Sequence, residues 1–168
     1  MVRLIIAAAL IAGPAAATEH EVKTYGHVLE ACYLAAEDAD ARTACIGQMA
    51  ETCMETEDGG FSTLGMASCN SGEMLVWDFF LNTEFKNTMD WAKAADADEG
   101  INFPEFANRA ESLRDAQRAW IAFRDAECGL AYAQWGAGSM RHISGTSCLL
   151  LMTAERTIEL VGYREFQQ

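Results

Sequence analysis

The chain has 168 residues, 51% hydrophobic and 22% charged, proportions that suit one folded domain and exclude a disordered or collagen-like chain. A formal net charge of −13 disfavours nucleic acids and other polyanions as partners and raises encounter rates with cationic ones. With 2 Pro and 13 Gly in an Ala-, Leu-, Glu- and Asp-rich sequence, we expect an all-α fold, a small disulfide-stabilised bundle of about four to five helices.

Residues 1–17 read as a signal peptide. Arg3 supplies a positive start, Leu4 to Gly13 an apolar stretch too short to span a bilayer, and Ala15-Ala16-Ala17 a small-residue cleavage site. Residues 18–168 are then a single exported domain, periplasmic or secreted. No cysteine directly follows the expected cleavage site, so no lipid or membrane anchor is expected after signal removal.

Between Tyr25 and Thr56, apolar residues at helical spacing predict two helices broken near Asp38 to Arg42. Glu57-Asp58-Gly59-Gly60 and the small residues through Gly65 supply turn chemistry. Ser71 is placed to cap a third helix from about Gly72 to Ala95. Its inward stripe is Met74, Trp77, Leu81, Phe85, Thr88 and Ala92, spaced by three and four. After a break from Asp96 to Phe103, Pro104 fits the first turn of a long helix because its missing N–H has no intrahelical acceptor there. The seam of that helix is Phe106, Ala110, Leu113, Gln117, Trp120, Arg124, Cys128 and Ala131. Gly136 to Ser139 ends it. A last helix, about Ser147 to Phe166, turns Cys148, Met152, Arg156, Leu160 and Tyr163 inward.

Six cysteines in an exported chain imply disulfides, and pairing of sequence neighbours gives Cys32 with Cys45, Cys53 with Cys69, and Cys128 with Cys148. None has C-x-x-C spacing, which argues against a redox motif or zinc knuckle. His20, His27 and His142 are scattered, and no nucleophile elbow, phosphate loop or dinucleotide fingerprint occurs. The run from Asp96 to Phe106 echoes an EF-hand loop, but Gly100 is fifth and Glu105 tenth, where calcium needs Gly sixth and Glu twelfth. The expectation is a binding protein, not an enzyme, with no cofactor and no metal.

The most specific pattern is Ala116-Gln117-x-Ala119-Trp120-x-x-Phe123-Arg124-Asp125-x-x-Cys128, followed by Gly138-Ser139, Cys148 and Thr153-x-x-Arg156-x-x-x-Leu160. Upstream stand Cys53, the Gly-rich segment to Cys69, and Glu73-x-x-x-Trp77-Asp78-x-x-Leu81-Asn82-x-x-Phe85. From about Cys45 to Tyr163 this resembles the LprI-like lysozyme inhibitor family of small exported domains. The resemblance implies a binding protein that shields peptidoglycan by blocking a basic lysozyme-type muramidase. The alternative is an envelope interaction module with another target, also non-enzymatic.

Read physically, the motif is structural: Trp120 fills the centre of the bundle, and Gln117, Arg124, Asp125, Thr153 and Arg156 form an interhelical polar network. Trp77, Asp78 and Asn82 on the preceding helix are structural residues of the same motif. Partner contact is expected at the loop Gly136 to Ser144. There glycines permit protrusion and Gly138, Ser139, Met140, Arg141 and His142 face the enzyme, the hydroxyl and cationic groups reaching the carboxylates of its cleft.

Overall fold

The computed structural model describes residues 14–166, with side chains from residue 18. The expected signal peptide therefore lies outside the described residues except for the backbone of 14–17. Helix α1, Pro14–Ala35, presents Glu21, Tyr25, Leu29 and Tyr33 at four-residue spacing, and all four are buried. The expected break at Asp38 to Arg42 itself contains a short helix, α2, Ala39–Thr43. Asp38 caps it by accepting the Ala41 N–H at 2.8 Å, so an acidic stretch that reads as a breaker instead starts a new turn. Helix α3, Gln48–Thr56, follows Gly47, whose φ of 92° lies in the left-handed region that glycine adopts without a steric penalty.

Helix α4, Thr63–Glu99, runs 37 residues, about 55 Å at the α-helical rise. It begins well before the expected Gly72. Ser62, not Ser71, is the cap and accepts the Gly65 N–H at 3.1 Å, whereas the Ser71 hydroxyl donates back to the Ala67 carbonyl at 2.8 Å inside the helix. Gly72 lies where α1 crosses: a Cβ there would come within 2.6 Å of Glu21 Cβ.

Pro104 does not open the long helix. It starts a single 3-10 turn, Pro104–Phe106, and helix α5, Arg109–Ala133, begins three residues later. The cause is Asp96, whose carboxylate accepts the backbone N–H groups of Arg109 and Ala110, each at 2.9 Å, and so caps α5 from the end of α4. Helix α6, Met140–Glu165, starts seven residues earlier than expected and absorbs most of the expected loop.

Contacts set the directions. Trp77 and Glu84 of α4 meet Thr157 and Arg164 of α6, so these two helices run parallel, with α5 returning antiparallel between their ends. Two apolar clusters share α4. The first gathers α1, α3 and the N-terminal half of α4 around Trp77, which has no solvent exposure and meets Tyr33 and Phe80 edge-on. The second joins Leu81, Met89, Ala92, Leu113 and Leu160. Trp77 rather than Trp120 is thus the central tryptophan. Truncating such a residue to Ala costs about 3–5 kcal/mol. Trp120 is half-buried at the edge of the second cluster, and Phe106 and Tyr163, both expected inward, are exposed.

The fold is all-α among the described residues, with five helices of nine or more residues plus the short α2. Disulfides join Cys32 to Cys45, Cys53 to Cys69, and Cys128 to Cys148. None of the described helices is long and apolar enough to cross a membrane.

Candidate partner-binding surfaces

Along the α5–α6 hairpin the polar residues of the motif meet. Arg156, 5% exposed, donates from Nε to the Gln117 Oε1 at 2.9 Å and from Nη1 to Glu159 at 2.7 Å. Arg124 donates to Asp125 at 2.9 Å and reaches the Thr153 hydroxyl at 3.5 Å. Both guanidinium groups lie over the Trp120 ring, 5.1 Å away for Arg124 and 5.9 Å for Arg156, a cation–π arrangement that fixes the indole between two helices. Asp78 and Asn82 stay outside this cluster. The Asn82 amide donates to the Asp78 carbonyl and carboxylate within α4.

Trp77 has a different partner. Its indole N–H donates to Glu73 at 3.0 Å, and Glu73, fully buried, also accepts the Gly47 and Ala50 backbone N–H groups at 2.7 Å each. One carboxylate of α4 thereby caps α3 across the interface. Burial pushes its pKa up, against the downward pull of these donors. The sequence carries Glu73 within a motif, but nothing in its spacing from Gly47 discloses the cap.

The expected contact loop is shorter than Gly136 to Ser144. Gly136, with φ 50°, and Gly138 make the turn, and Met140, Arg141 and His142 already belong to α6. Arg141 lies 5.2 Å from the Tyr132 ring and donates to the Gly136 carbonyl at 3.2 Å, while His142 meets the same ring edge-on. These two side chains close the hairpin against Tyr132 instead of protruding. Gly138, Ser139 and Met140 remain exposed at the turn.

A different protrusion lies at the other end of α5. Ile101, Phe103 and Phe106 are 78%, 53% and 61% exposed, with the two phenyl rings 6.5 Å apart. Their backbone is not loose. Ile101, Asn102, Phe103, Phe106, Ala107 and Asn108 all donate their N–H groups to carbonyls within residues 98–106. Arg109 clamps the base by pairing with Asp96 at 3.3 Å and Glu99 at 3.1 Å. Sequence periodicity assigns Phe106 to the α5 seam. The missed signal is that Ile101, Phe103 and Phe106, spaced by two and three, fit no single helical face.

The calcium-like segment serves the same structure. Both Asp96 oxygens accept α5 backbone N–H groups, the Ala110 bond being the strongest reason that its pKa lies below the usual aspartate range. Among the described residues, no group of three or more His, Cys, Asp or Glu is arranged to hold a metal ion.

A family model described as Lysozyme inhibitor LprI matches residues 53–160, from Cys53 in α3 to Leu160 in α6. The chain belongs to the LprI lysozyme inhibitor family. The LprI match covers the Glu73–Trp77 pair, the α4–α5 protrusion and the whole α5–α6 polar cluster. A protein of Rhizobium meliloti (strain 1021), described only as uncharacterized, is 32% identical over 99 residues, covering 59% of this chain and 71% of that protein. No solved structure matches the chain.

Proposed function

We propose that this protein is an exported, non-enzymatic inhibitor of lysozyme that protects peptidoglycan by occluding the enzyme. The observation that carries this reading is the inhibitor-family match across the whole of α4 and α5 and most of α6. Charge supports it, since a chain of net −13 is steered toward a basic enzyme. The three disulfides suit an oxidising compartment, periplasmic or extracellular. A lysozyme cleft works through two carboxylates flanking the scissile bond, so a protein seated on its rim excludes both glycan and water without chemistry of its own. Of the expected contact residues, the turn Gly138, Ser139 and Met140 is accessible, and Arg141 and His142 support it from behind.

The test is a lytic assay on oxidised protein lacking residues 1–17, titrated against a basic c-type lysozyme, with binding measured at low and physiological salt. Saturable inhibition near one-to-one stoichiometry at physiological salt is the expected result. Absence of binding at both salt concentrations overturns the reading and leaves an envelope interaction module with another target.

A further inference from the structure

We infer that the knuckle between α4 and α5, built from Ile101, Phe103 and Phe106, is the surface that docks a cationic protein, here the lysozyme of the proposed function, on which this inference rests. Three exposed apolar side chains on one short turn have no role in either core cluster. Their margin is acidic: of the four acids in residues 94–106, Asp96 and Glu99 are paired with Arg109 at the base, which leaves Asp98 and Glu105 to set its charge. Asp98 and Glu105 are exposed beside the apolar residues. An apolar centre with a charged, wetter margin is the anatomy of an interface hot spot, and this margin complements a basic surface.

Rigidity argues the same way. The turn is held by its own backbone hydrogen bonds and by the Arg109 clamp, so binding has little loop entropy to remove. The acidic margin repels both an anionic lipid surface and a second copy of the same knuckle, which leaves a cationic protein as the occupant. The Gly136–Ser139 turn lies at the opposite end of α5, a 25-residue helix, and the Arg141 and His142 side chains behind it are folded against Tyr132.

The experiment compares the unaltered oxidised protein with Phe103→Ser/Phe106→Ser, with Asp98→Asn/Glu105→Gln, and with Leu34→Ser, an exposed apolar residue on α1. Affinity for a basic c-type lysozyme is read by calorimetry, association rate at two salt concentrations, and folding by urea midpoint. The phenylalanine pair is expected to weaken binding by about tenfold or more with an unchanged midpoint. The acid pair, whose side chains are exposed, slows association and flattens its salt dependence, and Leu34→Ser changes neither. Inhibition by the unaltered protein with Phe103→Ser/Phe106→Ser binding within about twofold of it overturns the knuckle and leaves the inhibitor reading standing. Self-association through the phenylalanines, with lysozyme affinity unaffected by their loss, does the same. Failure of the unaltered protein to bind lysozyme overturns both.

Discussion

Glu73 accepts the indole N–H of Trp77 at 3.0 Å from one turn earlier on α4, and neither side chain is exposed to solvent. The same carboxylate holds the start of α3 through Gly47 and Ala50, so a single buried acid positions the central tryptophan and an adjoining helix together. Glu73→Ala leaves the buried N–H groups of Trp77 and Ala50 and the half-buried one of Gly47 without their acceptor, and a loss of about 3 kcal/mol in urea unfolding is expected. An unchanged midpoint would show the cap to be dispensable.

The pH dependence of this group has a definite sign. Burial raises the folded pKa of Glu73 above its ordinary value. Its favourable contribution is therefore complete below the ordinary glutamate pKa and is lost as pH rises through the elevated folded value. Relative to Glu73→Gln, the unaltered protein is expected to gain stability on acidification through that window, read as the difference between two urea series.

Asp96 gives the opposite slope. The Ala110 and Arg109 N–H groups hold its pKa below the ordinary value, so its contribution is present above the ordinary aspartate pKa and is lost as pH falls through the depressed one. Asp96→Asn should flatten the acid limb of the stability profile. Hydrogen exchange at Arg109 to Ser112 should accelerate as the first turn of α5 frays.

Arg156 is the buried cation of the α5–α6 interface. Arg156→Ala leaves the Gln117 carbonyl without its partner, and a destabilisation of about 3 kcal/mol is expected. A double-mutant cycle with Gln117→Ala should return a coupling of about 1–2 kcal/mol, and additive losses would show that the bond does not stabilise the pair.

Removing the Cys128–Cys148 bridge by paired Ser substitutions should reduce stability by about 3 kcal/mol on the loop-entropy model, for a sequence separation of 20. The comparison requires the other two bridges to remain oxidised, which mass spectrometry of the intact chain verifies.

Helical phase was legible along α4, whereas on α6 Tyr163 falls in phase and is nevertheless exposed. In the α4 stripe, Trp77, Leu81, Thr88 and Ala92 are buried, and Met74 and Phe85 pack partly against the clusters. The helix starts were not legible, because tertiary partners decide them. Asp96 moves the start of α5 past Pro104, and the Ser71 hydroxyl bonds within α4 while Ser62 caps it. Trp120 and Trp77 are alike in spacing. What separates them is the lateral order of helices: α1, α3 and α6 enclose Trp77, whereas Trp120 meets two arginines at an edge. The knuckle was hidden for the same reason, since Phe106 falls in phase with a helix that in fact begins after it.

The three disulfides divide the chain in an uneven way. Cys32–Cys45 and Cys53–Cys69 lie wholly before the α4–α5 turn, and Cys128–Cys148 wholly after it, so no covalent bridge crosses residues 70–127. A single protease nick at the knuckle would thus yield two separately cross-linked fragments that part on a denaturing gel without reductant. In native buffer the same pieces would stay together through the parallel seam of α4 and α6, with Asp96 still capping α5 and Arg42 still paired to Glu165, making this chain a ready substrate for split-protein reconstitution.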